Sequence, residues 1–199
     1  MTFNDFKYQV MPRAHLSDGH ITLRAVCPQD IESIRVWRNE QMSVLRQNAI
    51  ITPEEQKQYF IKHVWQEKNC IQPKQILLAI LQDDILIGYG GLVNIKWNDK
   101  KAEISFLLST DIENNKENRA NIFECFLRII CDTAFIDLKL SRLWTETYSN
   151  RADHIKVLET AGFLYEGLLK HNVIIKGIPT DAILHAKLKH EWKKDNERL

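Results

Sequence analysis

At 199 residues, 44% of them hydrophobic and 27% charged, the chain has the balance of one globular domain with room for a single real core. Its formal net charge of +1 excludes a general nucleic-acid or membrane-surface role, which needs a strong basic bias. The four cysteines, Cys27, Cys70, Cys125 and Cys131, form no CxxC pair and no Cys/His spacing suited to zinc, no stretch reaches the roughly 18 apolar residues of a membrane span, and the first residues lack an apolar signal core. A cytoplasmic protein with reduced thiols and no bound metal is expected.

Residues 1–19 end at the turn signal Ser17-Asp18-Gly19 and read as an N-terminal arm. HITLRAV (20–26) reads as a strand. Pro28 and Asp30 open a helix through Ile31, Ile34 and Trp37 that ends near Glu40. Thr52, Pro53 and Glu55 make a capping box with proline in the first turn, and that helix continues through Tyr59, Phe60 and Val64. ILLAIL (76–81) is a buried-type strand. Asp83-Asp84 turns it into ILIGYGGLVNIKW, and Asn98-Asp99 turns that into AEISFLLS (102–109), which gives an antiparallel meander. A glycine-free polar loop, Asn114 to Asn121, then leads into a helix with Ile122, Phe126, Ile129, Ile130 and Ala134 at helical spacing. LSRLWTETYS (140–149) is again a strand. Asp153 can cap a short helix ending at Gly162, and a hairpin over 166–175 and 181–188, turned by Gly177 and Pro179, closes the domain. The basic cluster KLKHEWKK is interrupted by Glu191 and leads into a solvated tail. Residues 20–190 therefore form one domain and 191–199 a charged tail. The order is α+β, a mixed and mostly antiparallel central sheet flanked by helices. The helical crossover makes strands 102–109 and 141–149 parallel neighbours.

This order, with ITLRAVCPQDIESIRVWRNE, LIGYGGL, AEISFLLS, DTAFIDLKLSRLWTETY and above all VLETAGFLYEG, resembles the GNAT superfamily of acyl-CoA N-acyltransferases over about residues 20 to 190. The RimJ/RimL-like branch and the amino-sugar N-acetyltransferases of the pseudaminic acid pathway are the nearest in pattern. The resemblance implies acetyl-CoA as co-substrate, with its pantetheine arm in the gap where strands 102–109 and 141–149 splay. It implies donor contacts from Phe106, Leu107 and Leu108 on one strand, and from Asn150 and His154 beyond the other. The pyrophosphate would lie at the start of the next helix, where helix N-termini present free N–H groups. The family's glycine-rich loop is replaced here, with Arg119 and Asn121 near the glycine positions. Either Lys116, Arg119 and the amide of Asn121 substitute for backbone contacts, or the pyrophosphate is gripped weakly.

The chemistry implied is direct attack of a neutral amine on a thioester, which needs a base, a donor to the oxyanion and a proton for the leaving thiolate. Strand alternation puts Glu103 and Ser105 on one face, opposite Ile104 and Phe106, and puts Trp144, Glu146 and Tyr148 together on their own strand. Glu103 is the first candidate base and Glu146 the second; either can equally be a solvated or ion-paired residue. The oxyanion donor is expected from the backbone of Ile104 to Leu108. The tyrosine that many family members carry before Gly162-Phe163 is Leu158 here, which leaves Tyr148 as the candidate acid, or as an aromatic packed on Trp144. His154 can donate to the cofactor, relay a proton or lie at the surface. On the acceptor side, Trp37, Arg38, Asn39 and Tyr89 are candidates for substrate contact; the alternative is that Trp37 is core and Arg38 serves its helix C-terminus. A small-molecule amine is the expected partner, with no nucleic acid and no membrane, and a homodimer is left open. The leading function is N-acetylation of an amino sugar or nucleotide-linked amino sugar. The alternatives are protein N-terminal acetylation and a non-catalytic module of the same shape.

Overall fold

The computed structural model describes residues 7–196. Eight strands form one sheet in the order β1-β2-β3-β4-β5-β6-β8-β7. They are β1 (His15–Asp18), β2 (Ile21–Ala25), β3 (Ile76–Gln82), β4 (Ile85–Lys96), β5 (Lys101–Leu108), β6 (Arg142–Tyr148), β7 (Leu164–Ile175) and β8 (Ile178–Leu188). Every neighbouring pair is antiparallel except β5 and β6, the pair joined by the helical crossover.

Helices cover both faces. On one, α4 (Lys116–Asp132) lays Ile122, Phe123, Phe126, Leu127 and Ile130 against Ala102, Ile104, Phe106 and Leu108 of β5, and α5 (Ala152–Thr160) adds Leu158. On the other, α1 (Ile31–Glu40) and α2 (Pro53–Tyr59) with the π-helical turn Phe60–Val64 pack Ile34, Phe60 and Val64 against Leu77, Ala79 and Leu107. The alternation of β5 is thus divided between two cores, as its period-2 pattern requires. Glycines at 90 and 91 let β4 run flat between its neighbours: a Cβ on Gly90 would stand 2.5 Å from the Ser105 carbonyl oxygen, and one on Gly91, at φ +135, would stand 2.1 Å from that of Ile76.

The capping box at α2 forms as expected, with the Glu55 N–H donating to Thr52 Oγ1 and the Thr52 N–H to Glu55 Oε2. Gly162, at φ +78, closes α5 with the Phe163 N–H on the Leu158 carbonyl and its own N–H on that of Glu159. Other expectations need correction. Residues 1–19 are not merely an arm: β1 pairs with β2, and Tyr8, Met11 and Leu16 are buried in the larger core. The reason is apolar spacing too short to show a period; residues 1–6 of that arm lie outside the described residues. The charged tail opens as helix α6 (Lys189–Asn196), whose Trp192 packs on Phe135 at 5.8 Å between ring centroids; residues 197–199 lie outside the described residues. Asp153 does not cap α5. The N-cap position falls on Arg151, and Asp153 in the first turn pairs instead with Lys116. Pro179 is not in the hairpin turn but in β8, opposite Ile174, because Lys176 and Gly177 both take positive φ and turn the chain by themselves.

Candidate active site

The parallel pairing of β5 and β6 lasts for three rungs, Lys101–Arg142, Ala102–Leu143 and Glu103–Trp144, and then the strands part. A cavity of about 240 Å³ opens in the fork. Which backbone groups face it follows from the register. The carbonyls of Ser105 and Leu107 lie against β4, and that of Lys100 accepts from Ser141 and Arg142 on the β6 side, so the even-numbered residues of β5 point their N–H and C=O toward the slot. The last rung uses the Ile104 N–H, and Gln41 Nε2 occupies the Leu108 carbonyl at 2.8 Å. Phe106 is then the first residue past the fork whose N–H has no strand partner. Directly across the fork, Thr145 Oγ1 is buried without a hydrogen-bond partner, and so are both ring nitrogens of His185, its cross-strand neighbour on β8. An extended chain bearing amides, as in the pantetheine of acetyl-CoA, fits such a slot: it finds an open strand edge, an orphaned hydroxyl and the rings of Phe106 and Phe123 as walls.

On the face of α1 and α2, Glu103, Glu146 and Tyr148 line this one cavity. The residue that joins them is Arg46, which the sequence did not single out. Its guanidinium lies 2.8 Å from Glu103 Oε1 and 3.0 Å from Glu146 Oε2. Asn94 Nδ2 donates to the second Glu103 oxygen at 2.6 Å, and Asn172 Nδ2 to the second Glu146 oxygen at 2.9 Å. The carboxylates are mostly buried, with side chains 7% and 14% exposed, whereas Arg46 is 50% exposed. Tyr148 is buried, which raises its phenol above the ordinary value despite the nearby Arg46. It also lines an outer vestibule of about 580 Å³, between residues 42–48 and the Asn172–Lys176 end of the β7–β8 hairpin. Arg38 reaches the slot and donates to the Tyr89 hydroxyl at 2.7 Å and to Gln47 Oε1 at 3.1 Å. Two of the acceptor-side candidates are structural. Trp37 packs on the smaller core, and Asn39 clamps the following loop through the N–H and C=O of Ile51. Tyr89 is buried behind Arg38, outside the slot lining.

On the opposite face the entry to α4 differs from the expected loop. A short helix, α3 (Thr110–Glu113), follows β5, and α4 already begins at Lys116, with Asn115 Oδ1 accepting from the Asn118 N–H. Asn121 is therefore in the second turn, where the helix ladder takes up its amide, so that amide cannot hold an anion. Arg119 points inward, with its side chain 5% exposed: Nε donates to Glu113 Oε1 at 2.8 Å and Nη2 to His154 Nδ1 at 2.9 Å. Arg151 Nη2 reaches the same Glu113 oxygen at 3.1 Å. His154 stacks on Phe123, with 4.1 Å between centroids, and lines the slot with Phe106 and Arg151. Its burial, together with Arg151, Arg119 and His185, holds the imidazole well below the ordinary histidine range. It is not a surface residue. Lys116 stays exposed against Asp153. Asn150 is exposed in the turn after β6 and away from the slot lining, while Leu107 and Leu108 turn their side chains into the two cores. Leu158 is fully buried in the larger core.

Comparison with known proteins agrees with this geometry. YdaF of Bacillus subtilis (strain 168), by its name a candidate ribosomal N-acetyltransferase, is 25% identical over 188 residues, covering 87% of this chain and 94% of YdaF. YjcK of the same organism, named as a candidate N-acetyltransferase, is 28% identical over 145 residues, 71% of this chain and 76% of its own. Among solved structures, spermidine N-acetyltransferase from Vibrio cholerae in complex with CoA and spermine superposes with a TM-score of 0.76 at 20% identity, covering 88% of this chain and 99% of that one, a likeness of fold. The profile described as an acetyltransferase (GNAT) domain matches residues 23–184. With the forked β5–β6 pair, this match shows that the chain belongs to the GNAT acetyltransferase family and is an N-acetyltransferase whose acetyl donor is acetyl-CoA.

Proposed function

We propose that the acceptor is a primary amine on an amino sugar, including one linked to a nucleotide. The observation that carries this reading is the charge of the outer vestibule. Among the described residues, its charged lining is Arg46 and Lys176, with the amides of Gln47, Asn48 and Asn172 and no carboxylate. Hydroxyls suit the amides, and a phosphate suits the two cations. A polycation such as the spermine bound by the Vibrio enzyme would meet like charge before reaching Glu103 and Glu146.

Acetyl-CoA supplies an activated acyl carbon; the protein supplies position and proton handling. Glu103, at the fork itself, takes the proton of the attacking amine once the acceptor draws Arg46 aside, and Glu146, one turn of pleat further along β6, orients the amine. The Phe106 N–H donates to the carbonyl oxygen as charge grows there. Tyr148, kept protonated by burial, stands at the junction of slot and vestibule as the proton donor. Lys116, exposed at the α4 entry, favours the phosphates of the donor. A panel of amino sugars, nucleotide-linked amino sugars, polyamines and N-terminal peptides, read by thiol release with acetyl-CoA, tests the acceptor. The nucleotide-linked amines should give the highest kcat/KM; a polyamine in first place would reject the reading. Peptide N-termini form the second reading, favoured by the likeness to YdaF along nearly its whole length.

A further inference from the structure

The Arg119–His154 contact fixes a tautomer. A guanidinium has five N–H donors and no acceptor, so the 2.9 Å contact from Arg119 Nη2 requires Nδ1 of His154 to be the unprotonated nitrogen. The ring proton then resides on Nε2. No hydrogen bond from any described residue takes it, although His154 is buried and lines the slot. Phe123 holds the ring plane, stacked at 21° between planes, and the Phe106 ring lies 6.2 Å away, on the residue whose backbone N–H opens into the same slot. Residues carrying donors from two different elements therefore line one slot. Around them stand Arg119 from α4, Arg151 at the start of α5, Glu113 from α3 shared by both arginines, and His185 from β8.

We propose that the Nε2–H of His154 is a catalytic hydrogen-bond donor to the sulfur of the thioester in this slot, taking over the position left without a hydroxyl at Leu158. The proposal rests on the reading of the slot as the berth of acetyl-CoA. In the transfer, the amine nitrogen bonds the acyl carbon, the carbon–sulfur bond breaks with its electron pair passing to sulfur, and the amine proton passes to the acceptor-side base. His154 neither gains nor loses a proton: a neutral imidazole with its proton on Nε2 shares it with sulfur as negative charge develops, and Arg119 keeps that proton on the side facing the slot. The final protonation of the thiolate falls to Tyr148 or solvent.

Glutamine at 154 can offer an N–H from a similar distance; leucine fills the space without one. With the best acceptor of the panel, H154L should lose about a hundredfold in kcat, the scale of a lost donor to developing charge, while H154Q stays within about tenfold of the parent. Acetyl-CoA affinity by calorimetry should move less than about threefold in both, on the order of one weak contact. Equal losses in the two variants, or no loss in H154L, would overturn the proposal while leaving the slot reading intact. Absence of acetyl-CoA binding to the parent protein would overturn both. Turnover is not needed for the second arm. Ring nitrogen shifts of the parent protein, labelled with nitrogen-15 on histidine, should show Nδ1 bare and Nε2 protonated, with the Nε2–H resonance moving when acetyl-CoA is added. An Nδ1–H tautomer, or an Nε2–H that ignores acetyl-CoA, would equally overturn the proposal.

Discussion

The two faces of the slot handle charge in opposite ways. On the acceptor face, two buried carboxylates are bridged by an arginine that is half in solvent, so the network can open when a ligand competes for Arg46. On the donor face, Arg119 and Arg151 converge on one carboxylate and Arg119 also holds His154, so the network has no exposed member free to leave. A mobile cation suits recognition of variable acceptors. A rigid cluster suits a step in which reorganisation would raise the barrier.

The sharpest way to break this contrast is Arg119→Met. It strips Glu113 of its closer partner, frees Nδ1 of His154 and leaves polar atoms buried, which should cost about 3 kcal/mol of stability. Urea unfolding measures it. A loss under about 0.5 kcal/mol, the scale of an exposed pair, would mean that the donor face is no more rigid than the acceptor face. Glu103→Gln comes next. It keeps the shape and one acceptor for Arg46 or Asn94, and should lower kcat at least about tenfold with little change in the unfolding midpoint. Unchanged turnover would remove Glu103 as base and pass the role to Glu146.

These two residues also mark how far the sequence could be read. The meander, the parallel pair and the convergence of Glu103, Glu146 and Tyr148 followed from alternation and from one helical crossover, signals that are local or topological, whereas β1 and the pairing of β8 with β6 did not. Arg46 was illegible because residues 42–48 form a 3-10 turn and loop with no periodic pattern, and its two partners are 57 and 100 positions away in sequence. The start of α4 was misplaced because its opening residues, KENRAN, are polar and lack the apolar spacing that marks a helix; Asn115 three residues before Asn118 was the available capping signal. His154 was visible as a first-turn residue, but the arginine that fixes its proton lies 35 positions upstream, a contact that only the folded chain creates.

Arg46→Ala sharpens the acceptor half. The side chain is half exposed, so stability should change by less than about 1 kcal/mol. KM for a nucleotide-linked amine should rise about fivefold, and the two uncovered carboxylates should improve polyamine acceptance relative to the parent. Steady-state kinetics on both acceptors decide it. A parallel rise in both KM values would show that Arg46 is scaffolding and not part of acceptor selection.

The smallest expected effect is on the pH dependence of folding. Burial, then Arg151 and Arg119, hold His154 well below its ordinary value of 6.5, so the folded chain leaves the ring neutral at a pH where the unfolded chain protonates it. The unfolded state then binds the extra proton, and the sign follows: this contribution to stability is fully present above pH 6.5 and is lost as pH falls below it. One proton is worth at most about 1.4 kcal/mol per pH unit. Between pH 7.5 and 5.5, urea midpoints of the parent protein should therefore fall further than those of H154Q by an amount equivalent to about 1 kcal/mol. Subtracting the two cancels every other titrating group common to both chains. If both lose stability equally, the ring takes its proton in the folded state as readily as in the unfolded one. Arg119 would then not be holding it neutral, and the donor face would be as adaptable as the face across the slot.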